Sequence, residues 1–293
     1  MPGSSSTEQL APDPLAPVIG VAELGDLQDP VLADVRWYLD GRSGRAAYLS
    51  GHLPGAIFVD LDEHLTAIPS SSSGRHPLPT PERFAASLGQ LGIAVADTVV
   101  AYDDAGGMVA ARLVWMLRAL GRRAALLDGG IQRWPGDLET RATVRAAVQV
   151  PVQPWPTDLV TDGDGVDRAI TAGVAVVDAR AAERYRGDVE PVDARAGHIP
   201  GAVNVPFATN LGPDGRFLAP DELRRRYAGA GIGRAPVDVE RRPILYCGSG
   251  VSACHDLLAV ERAGLGPARL YAGSWSAWSA DPDRPAATGP TPR

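Results

Sequence analysis

Short apolar runs alternate with longer segments of helical periodicity along most of the chain. The runs are rich in Val, Leu and Ile, and the helical segments between them lie at 81–91 and 109–120 and, further along, at 220–228 and 252–263. Continuous apolar runs are typical of strands buried on both faces, and strands separated by helices form parallel sheets. The pattern therefore predicts an α/β fold in which helices cover both faces of a parallel sheet.

The chain contains this unit twice, at a spacing of about 145 residues. The clearest pair is Gly-His-Leu-Pro-Gly-Ala at 51–56 and Gly-His-Ile-Pro-Gly-Ala at 197–202. Three further pairs occur in the same order: the apolar strands ending in Asp and Arg at 31–36 and 176–180, the runs ending in Tyr at 98–102 and 243–246, and the segments 126–130 and 270–274. Two homologous domains follow from this order.

We place the domain boundaries by composition. Residues 18–140 form the first domain and 161–293 the second, and the stretch 141–160, with Pro151, Pro154 and Pro156, is expected to be an extended linker. Residues 1–17 are rich in Pro, Ser and Ala and lack a basic start followed by an apolar core. We expect a disordered tail there and not a signal peptide.

Composition excludes several function classes. With 45% hydrophobic and 22% charged residues, it is that of an ordinary globular protein. The net charge is −7, and no basic stripe with interleaved aromatic residues suggests nucleic-acid binding. No apolar stretch reaches the roughly 18 residues of a membrane span. The two cysteines form neither a CxxC motif nor a disulfide framework, and no zinc-binding spacing occurs. We expect a cytoplasmic monomer without metal or organic cofactor.

The two copies differ directly after the equivalent apolar runs at 98–102 and 243–246. Aligning Tyr102 with Tyr246 places Asp103 opposite Cys247, which is followed by Gly-Ser-Gly-Val-Ser and a helix. Glycines at 248 and 250 let backbone N–H groups converge on one atom, and a helix N-terminus favours an anion. Such a cradle favours a thiolate that can attack and hold a second sulfur. A packing cysteine would need neither glycine, and a carboxylate cannot form such an adduct, so the second domain is predicted to be catalytic and the first inactive.

From about Val18 to Ala287, these features resemble the tandem-domain form of the rhodanese superfamily of sulfurtransferases. The loop Cys-Gly-Ser-Gly-Val-Ser at 247–252 resembles that of 3-mercaptopyruvate sulfurtransferases, whereas thiosulfate sulfurtransferases typically carry Cys-Arg-Lys-Gly-Val-Thr. The loop also lacks the cations that would neutralise the thiosulfate dianion. Mercaptopyruvate instead presents a carboxylate, which an arginine fork recognises.

The resemblance implies a set of site residues. Arg184 aligns with the substrate-binding arginine of the family, and Arg195 is the candidate for its second arginine. Asp62 and His76 of the first domain are expected to form a proton relay with Ser249. For His76, the sequence leaves open an exposed loop histidine after residues 70–74. The candidates at the loop are Cys247 as nucleophile and Gly248, Gly250, Val251 and Ser252 as its substrate-binding surround.

Other conspicuous residues are predicted to be structural. His52 and His198 occupy equivalent places in both copies, so we expect each to bond the backbone of a turn. Cys254 follows Cys247 by two helical turns, roughly 10 Å if the path is helical, which exceeds the ~7 Å limit for a disulfide. Core packing is expected for Cys254.

The function implied is transfer of sulfur from 3-mercaptopyruvate through a Cys247 persulfide to a thiophilic acceptor, with release of pyruvate. The acceptor is cyanide, a small thiol or a thioredoxin-like protein. The alternatives are a thiosulfate sulfurtransferase on the same scaffold and a persulfide carrier or interaction module without turnover. A cysteine phosphatase would need an arginine where Ala253 stands, and is excluded.

Overall fold

A computed structural model describes residues 15–233 and 238–292. Its ten strands within these ranges are short: β1 Val18–Ile19, β2 Val31–Asp34, β3 Ile57–Phe58, β4 Val99–Tyr102, β5 Ala124–Leu127, β6 Val160–Thr161, β7 Val176–Asp178, β8 Val203–Asn204, β9 Ile244–Tyr246 and β10 Arg269–Tyr271. The α-helices are α1 Val21–Gly25, α2 Gly44–Ser50, α3 Leu61–His64, α4 Pro81–Gln90, α5 Ala110–Ala119, α6 Gly163–Thr171, α7 Ala182–Arg186, α8 Pro220–Gly229, α9 Ser252–Arg262 and α10 Ser274–Ala280. Short 3-10 turns complete the elements.

The strands form two five-stranded sheets of the same topology. The order is β1-β5-β4-β2-β3 in the first half and β6-β10-β9-β7-β8 in the second, and every pairing is parallel. In the first sheet Val99 pairs with Val31 and Tyr102 with Asp34, and in the second Tyr246 pairs with Asp178. The predicted tandem α/β fold is confirmed, with β4 and β9 at the centre of equivalent sheets.

Helices cover both faces of each sheet because successive side chains of a strand point to opposite sides. In β4, Val99 and Ala101 face a large core that both halves share, whereas Val100 and Tyr102 face a smaller core on the other side. The four segments that the pattern predicted as helices are α4, α5, α8 and α9. Of these, α5 and α9 pack against each other across the two halves and form the centre of the shared core.

The segment between the two sheets has no helix or strand from residue 140 to 156. It lies along the first half: the backbone N–H of Val148 donates to the Gly89 carbonyl at 3.0 Å, and the indole of Trp155 donates to the Pro79 carbonyl at 2.7 Å. Of the predicted tail 1–17, residues 1–14 lie outside the described residues, and Pro17 already bonds Leu126 beside β1. No helix within the described ranges is long and apolar enough to cross a membrane.

Candidate active site

Cys247 lies directly after the central strand β9, and only 1% of its surface is exposed. Its Sγ accepts a hydrogen bond from the Gly250 N–H at 3.1 Å, and its own N–H donates to the Ser274 hydroxyl at 3.1 Å. Ser274 has a positive φ of 53°, a conformation that L-residues rarely adopt, and such strain concentrates at functional sites. The sulfur is thus held at the carboxyl end of a parallel sheet, where ligands of this class of fold bind.

The loop that follows Cys247 is tied to the segment after β10. The Cys247 and Gly248 carbonyls accept hydrogen bonds from the backbone of α10, at 2.9 Å each. Gly250 has a φ of +79°, and a Cβ there would lie 2.6 Å from the Ala272 carbonyl oxygen, so only glycine fits. Val251 and Ser252 then begin α9, whose first turn has no side-chain cap in the described structure. Its amides stay available to an anion at the sulfur.

In the first copy, the equivalent loop binds a carboxylate of the chain itself. Asp103, opposite Cys247, follows β4, is fully buried and accepts four backbone hydrogen bonds of 2.7–2.9 Å. Burial raises the pKa of Asp103, and the four N–H groups oppose that rise. The donors are Ala105, Gly107, Val109 and Ala110. The strand–loop–helix unit of the first half thus holds a group carrying two acceptor atoms.

Three candidates from distant segments meet beside this loop. His76 Nδ1 lies 2.7 Å from the Ser249 hydroxyl, and its Nε2 lies 3.4 Å from Asp62 Oδ1. The other Asp62 oxygen accepts the Trp37 indole N–H at 2.9 Å, and the Trp37 ring packs edge-on against His76. Burial, and secondarily the charges of Arg112 and Arg75, lower the pKa of His76 to about 4. The imidazole is therefore neutral at pH 7 and can accept the Ser249 proton. The open alternative for His76, an exposed loop residue, is wrong, because only 8% of it is exposed.

Two arginines lie over Gly248. A Cβ on Gly248 would lie 3.0 Å from Arg75 Nη2 and 3.4 Å from Arg184 Nη1. Arg184 was a candidate, but Arg75 was missed, although its place next to His76 was a usable signal. The sequence argument that the loop lacks cations is true of the loop residues but wrong for the site, since both guanidinium groups reach it from other segments. Buried acids accompany them: Arg184 pairs with Glu190 and Asp193, and Arg75 pairs with Asp193.

The structure does not bring Arg195 to the loop. Its guanidinium donates to four backbone carbonyls at and beyond the end of α10, those of Trp278, Ser279, Asp281 and Arg284, at 2.7–3.1 Å. An arginine that satisfies the orphan carbonyls of a helix C-terminus stabilises that end. Arg195 therefore anchors α10 and has no geometry for a substrate at Gly248.

Sequence reasoning also missed Arg112, which lies on α5 and is fully buried. Its Nη1 donates to the Gly250 carbonyl at 2.8 Å, and its Nη2 donates to the His76 carbonyl at 2.9 Å. One side chain thus joins the cysteine loop to the relay histidine. The signal was visible, because Arg112 is the single charge between Val109 and Leu117 in an apolar helix.

The predicted structural residues have the expected roles. His52 and His198 each bond a backbone carbonyl at 2.8 Å and stack on the tyrosine that supplies it, Tyr48 or Tyr185. Cys254 is a buried free thiol, and burial raises its pKa to about 12. No group of three or more His, Cys, Asp or Glu in residues 15–233 and 238–292 is arranged to hold a metal ion.

Comparison with known proteins adds the family and its relatives. The family model described as a rhodanese-like domain matches residues 21–137 and 164–281. The chain is 43% identical over 274 residues to the probable 3-mercaptopyruvate sulfurtransferase of Pseudomonas aeruginosa, with 89% of this chain and 93% of that protein covered. It is 42% identical over 287 residues to the putative thiosulfate sulfurtransferase SseB of Mycobacterium tuberculosis, with 94% and 95% covered.

Among solved structures, the chain matches SseA from Escherichia coli, a 3-mercaptopyruvate sulfotransferase. The TM-score is 0.74 at 32% identity, over 89% of this chain and 99% of that one. The names of the two curated relatives agree on sulfur transfer and differ on the sulfur donor, and the Escherichia coli structure is described as a rhodanese fold.

Proposed function

Because this chain belongs to the rhodanese family, whose model matches both halves, we propose that it is a sulfurtransferase acting on 3-mercaptopyruvate. Cys247 in the second half is the nucleophile, and the sulfur passes through a Cys247 persulfide to a thiophilic acceptor. Pyruvate is the product that leaves.

The observation that carries this choice of donor is the 2.7 Å hydrogen bond between His76 and Ser249 beside Cys247. Sulfur transfer from mercaptopyruvate leaves a carbanion equivalent that must gain a proton. Transfer from thiosulfate releases sulfite and needs no proton. A buried proton relay at the nucleophile therefore has a use with the first donor and none with the second.

In the first step the Cys247 thiolate attacks the donor sulfur, an S–S bond forms, and the bond from that sulfur to carbon breaks. The pair of electrons from the broken bond enters the enolate of pyruvate. The donor's thiol proton passes to the Ser249 oxygen as the Ser249 proton moves to His76 Nδ1, and the reverse movement delivers a proton to the enolate carbon. Asp62, at 3.4 Å from His76 Nε2, stabilises the transient imidazolium.

The persulfide formed on Cys247 carries its charge on the outer sulfur. The four N–H groups around Asp103 indicate how the equivalent loop of the second half receives two acceptor atoms, here the two sulfurs. In the second step a thiolate or cyanide attacks the outer sulfur, and the Cys247 thiolate leaves. Arg184 holds the donor carboxylate during the first step through the guanidinium edge that faces Gly248.

Thiosulfate is the second candidate donor. The observation in its favour is the pair of guanidinium groups of Arg75 and Arg184 over Gly248, together with the name of the Mycobacterium tuberculosis relative. Against it, the acids Glu190 and Asp193 already neutralise these charges.

The test is steady-state formation of pyruvate and thiocyanate with cyanide as acceptor, comparing 3-mercaptopyruvate with thiosulfate. We expect a clear preference for 3-mercaptopyruvate in kcat/KM, and loss of turnover with both donors in Cys247→Ser. Cys254→Ser is the matched control and should keep its activity. Preference for thiosulfate would replace the proposed donor, and no turnover with either would favour a carrier or interaction module.

A further inference from the structure

The guanidinium groups of Arg75 and Arg184 face one place from opposite halves of the chain. Asp193 accepts from Arg75 Nη1 and, at 3.0 Å, from Arg184 Nη2, and Glu190 accepts from Arg184 Nη2 at 2.7 Å. The nitrogens next to Gly248 are the other ones, Arg75 Nη2 and Arg184 Nη1. Neither of these two nitrogens has a hydrogen-bond acceptor among the described residues. The acids thus orient both groups and leave one N–H edge of each directed at the loop.

The position of Arg75 depends on the second half. Its backbone N–H donates to the Ser276 hydroxyl on α10 at 3.1 Å. The preceding Gly74 packs so closely that a Cβ there would lie 2.6 Å from the Gly273 carbonyl oxygen. Arg75 is therefore held beside the loop that follows Cys247 by its backbone as well as by its ion pair with Asp193.

We propose that Arg75, contributed by the inactive half, is a second carboxylate-binding residue of the active site and forms with Arg184 a two-sided receptor for the donor's carboxylate. The proposal rests on the proposed function, since it assigns a residue to the same site. The donor carboxylate accepts from Arg75 Nη2 with one oxygen and from Arg184 Nη1 with the other, which orients the donor's sulfur over the Cys247 loop.

The acids make this receptor selective for a singly charged donor. Three arginines (Arg75, Arg180 and Arg184) are interleaved with three carboxylates (Asp178, Glu190 and Asp193) in one ion-pair network, so the formal charge of the network is zero. The side chains of Glu190 and Asp193 are buried, 4% and 3% exposed, so solvent screens them little. A monoanion meets two hydrogen-bonding edges in a neutral network, whereas the second charge of thiosulfate finds no counterion there.

The first experiment compares donors with and without the carboxylate. Arg75→Gln is assayed with 3-mercaptopyruvate and with mercaptoacetone, which has the same ketone and thiol but no carboxylate. We expect KM for 3-mercaptopyruvate to rise about 10- to 100-fold with kcat changed far less, because a charge-assisted hydrogen bond made equally in the ground and transition states is lost. The kinetics with mercaptoacetone should stay within about threefold of wild type.

Two further variants make the result specific. Arg75→Lys keeps the charge without the fork and should give an intermediate KM, which covers the case in which Arg75→Gln folds poorly. Arg186→Gln is the matched control, because Arg186 lies on α7 two residues after Arg184 but pairs with Asp188. This variant should leave KM and kcat unchanged for both 3-mercaptopyruvate and mercaptoacetone.

The outcomes separate the inference from the proposed function. An equal rise in KM for 3-mercaptopyruvate and mercaptoacetone in Arg75→Gln, or an unchanged KM for 3-mercaptopyruvate, would overturn the role of Arg75. Turnover of 3-mercaptopyruvate by the wild type would in that case still support the proposed function. Failure of the wild type with 3-mercaptopyruvate would instead remove the proposed function itself.

A separate variant tests whether the neutral ion-pair network selects a singly charged donor. Asp193→Asn keeps the shape of the side chain and gives the network a formal charge of +1. We expect the ratio of kcat/KM for thiosulfate to that for 3-mercaptopyruvate to rise about tenfold. A ratio that stays constant or falls would overturn the proposed basis of selectivity.

Discussion

At the scale of single residues, the candidate site is assembled from side chains that are distant in sequence. Ser249 belongs to the cysteine loop, whereas His76 and Asp62 come from the other half of the chain. Their distances allow one proton to move along one path, because His76 is neutral and its two nitrogens face different partners. The proposed relay is therefore a property of the folded molecule and not of any one segment.

His76→Gln should separate the two donors. Glutamine can still bond Ser249 but cannot take its proton, so we expect kcat with 3-mercaptopyruvate to fall about 10²- to 10³-fold. Sulfur transfer from thiosulfate, which moves no proton, should fall far less. Steady-state rates with both donors measure the difference. Equal losses with the two donors would mean that His76 acts only through packing.

The pH dependence of the wild type follows from the same residue. The pKa of His76 is lowered to about 4, so the neutral base that the relay needs persists well below pH 6.5. We expect activity with 3-mercaptopyruvate to be retained as the pH falls through 6.5, and to be lost only as it falls through about 4. An acid limb near 6.5 in kcat would contradict the buried, neutral state of His76.

At the residue level, the sequence argument agrees with the structure where the geometry is local. Cys247, Ser249 and the loop glycines follow one another, and their backbone roles depend on near neighbours. It missed Arg75, and it misplaced Arg195, because an arginine side chain is long and its partners are chosen by tertiary packing. Arg75 reaches Asp193 over 118 positions, and Arg195 bonds carbonyls more than 80 positions away.

At the scale of elements, the strand–loop–helix unit occurs twice with different contents. In the first half the unit β4–loop–α5 encloses the Asp103 carboxylate, and in the second half β9–loop–α9 encloses the Cys247 sulfur. The carboxylate accepts from four amides, three of which would otherwise be buried without acceptors. The Asp103 side chain thus fills the loop of the first unit.

Asp103→Ala tests this structural role. The substitution leaves the three buried N–H groups of Gly107, Val109 and Ala110 unpaired, so we expect the free energy of unfolding to fall by about 3 kcal/mol or more. Urea denaturation measures the loss. Asp137→Ala, at an exposed position, is the control and should change the free energy of unfolding by less than about 0.5 kcal/mol. A loss no larger than that of the control would show that the carboxylate does not stabilise the cradle.

Element order and type were predictable because both depend on local pattern. Apolar runs such as Val99–Tyr102 are buried on both faces, and all four of their residues are buried here. Helix starts carry their own signals: α4 begins at Pro81, and the preceding Thr80 hydroxyl accepts the Arg83 N–H. The pairing order within each sheet and the strained turn at Ser274 were not predictable from these signals, since they depend on which elements pack together.

At the scale of the whole molecule, the two halves share one apolar core, with α5 and α9 at its centre. Arg112 crosses this junction from α5 and donates to both the Gly250 carbonyl and the His76 carbonyl. The first half therefore supplies His76 and Asp62 of the proposed relay, one arginine over Gly248 and the side chain bonded to the cysteine loop. The half without the loop cysteine thus has a direct part in the candidate site.

Arg112→Met should disturb the positions of both the Cys247 loop and His76. Loss of its three hydrogen bonds, to the carbonyls of Gly250, His76 and Leu65, frees the loop and His76 to shift, so we expect kcat/KM for 3-mercaptopyruvate to fall about 100-fold. Stability should fall by no more than about 2–3 kcal/mol, because removing a buried charge offsets part of the lost hydrogen bonding.

Arg118→Met is the matched control for that variant. Arg118 lies on the same helix and also reaches the second half, through its ion pair with Glu261, but at a site away from Cys247. Its kcat/KM should stay within about twofold of wild type. Equal losses of activity in the two variants would mean that contact between the halves matters in general and that Arg112 has no special position.

The amino-acid sequence by itself determined the duplicated α/β architecture, the four long helices and the equivalent places of Asp103 and Cys247 after the central strands. These depend on periodicity, on repeated motifs and on backbone chemistry within a few residues of Cys247. Only the tertiary structure decided which charges stand at the loop, where Arg195 lies and how Arg112 joins the halves. The reason is physical: a strand or loop is specified by neighbours in sequence, whereas the partner of a long charged side chain is specified by whichever groups packing brings within hydrogen-bonding distance.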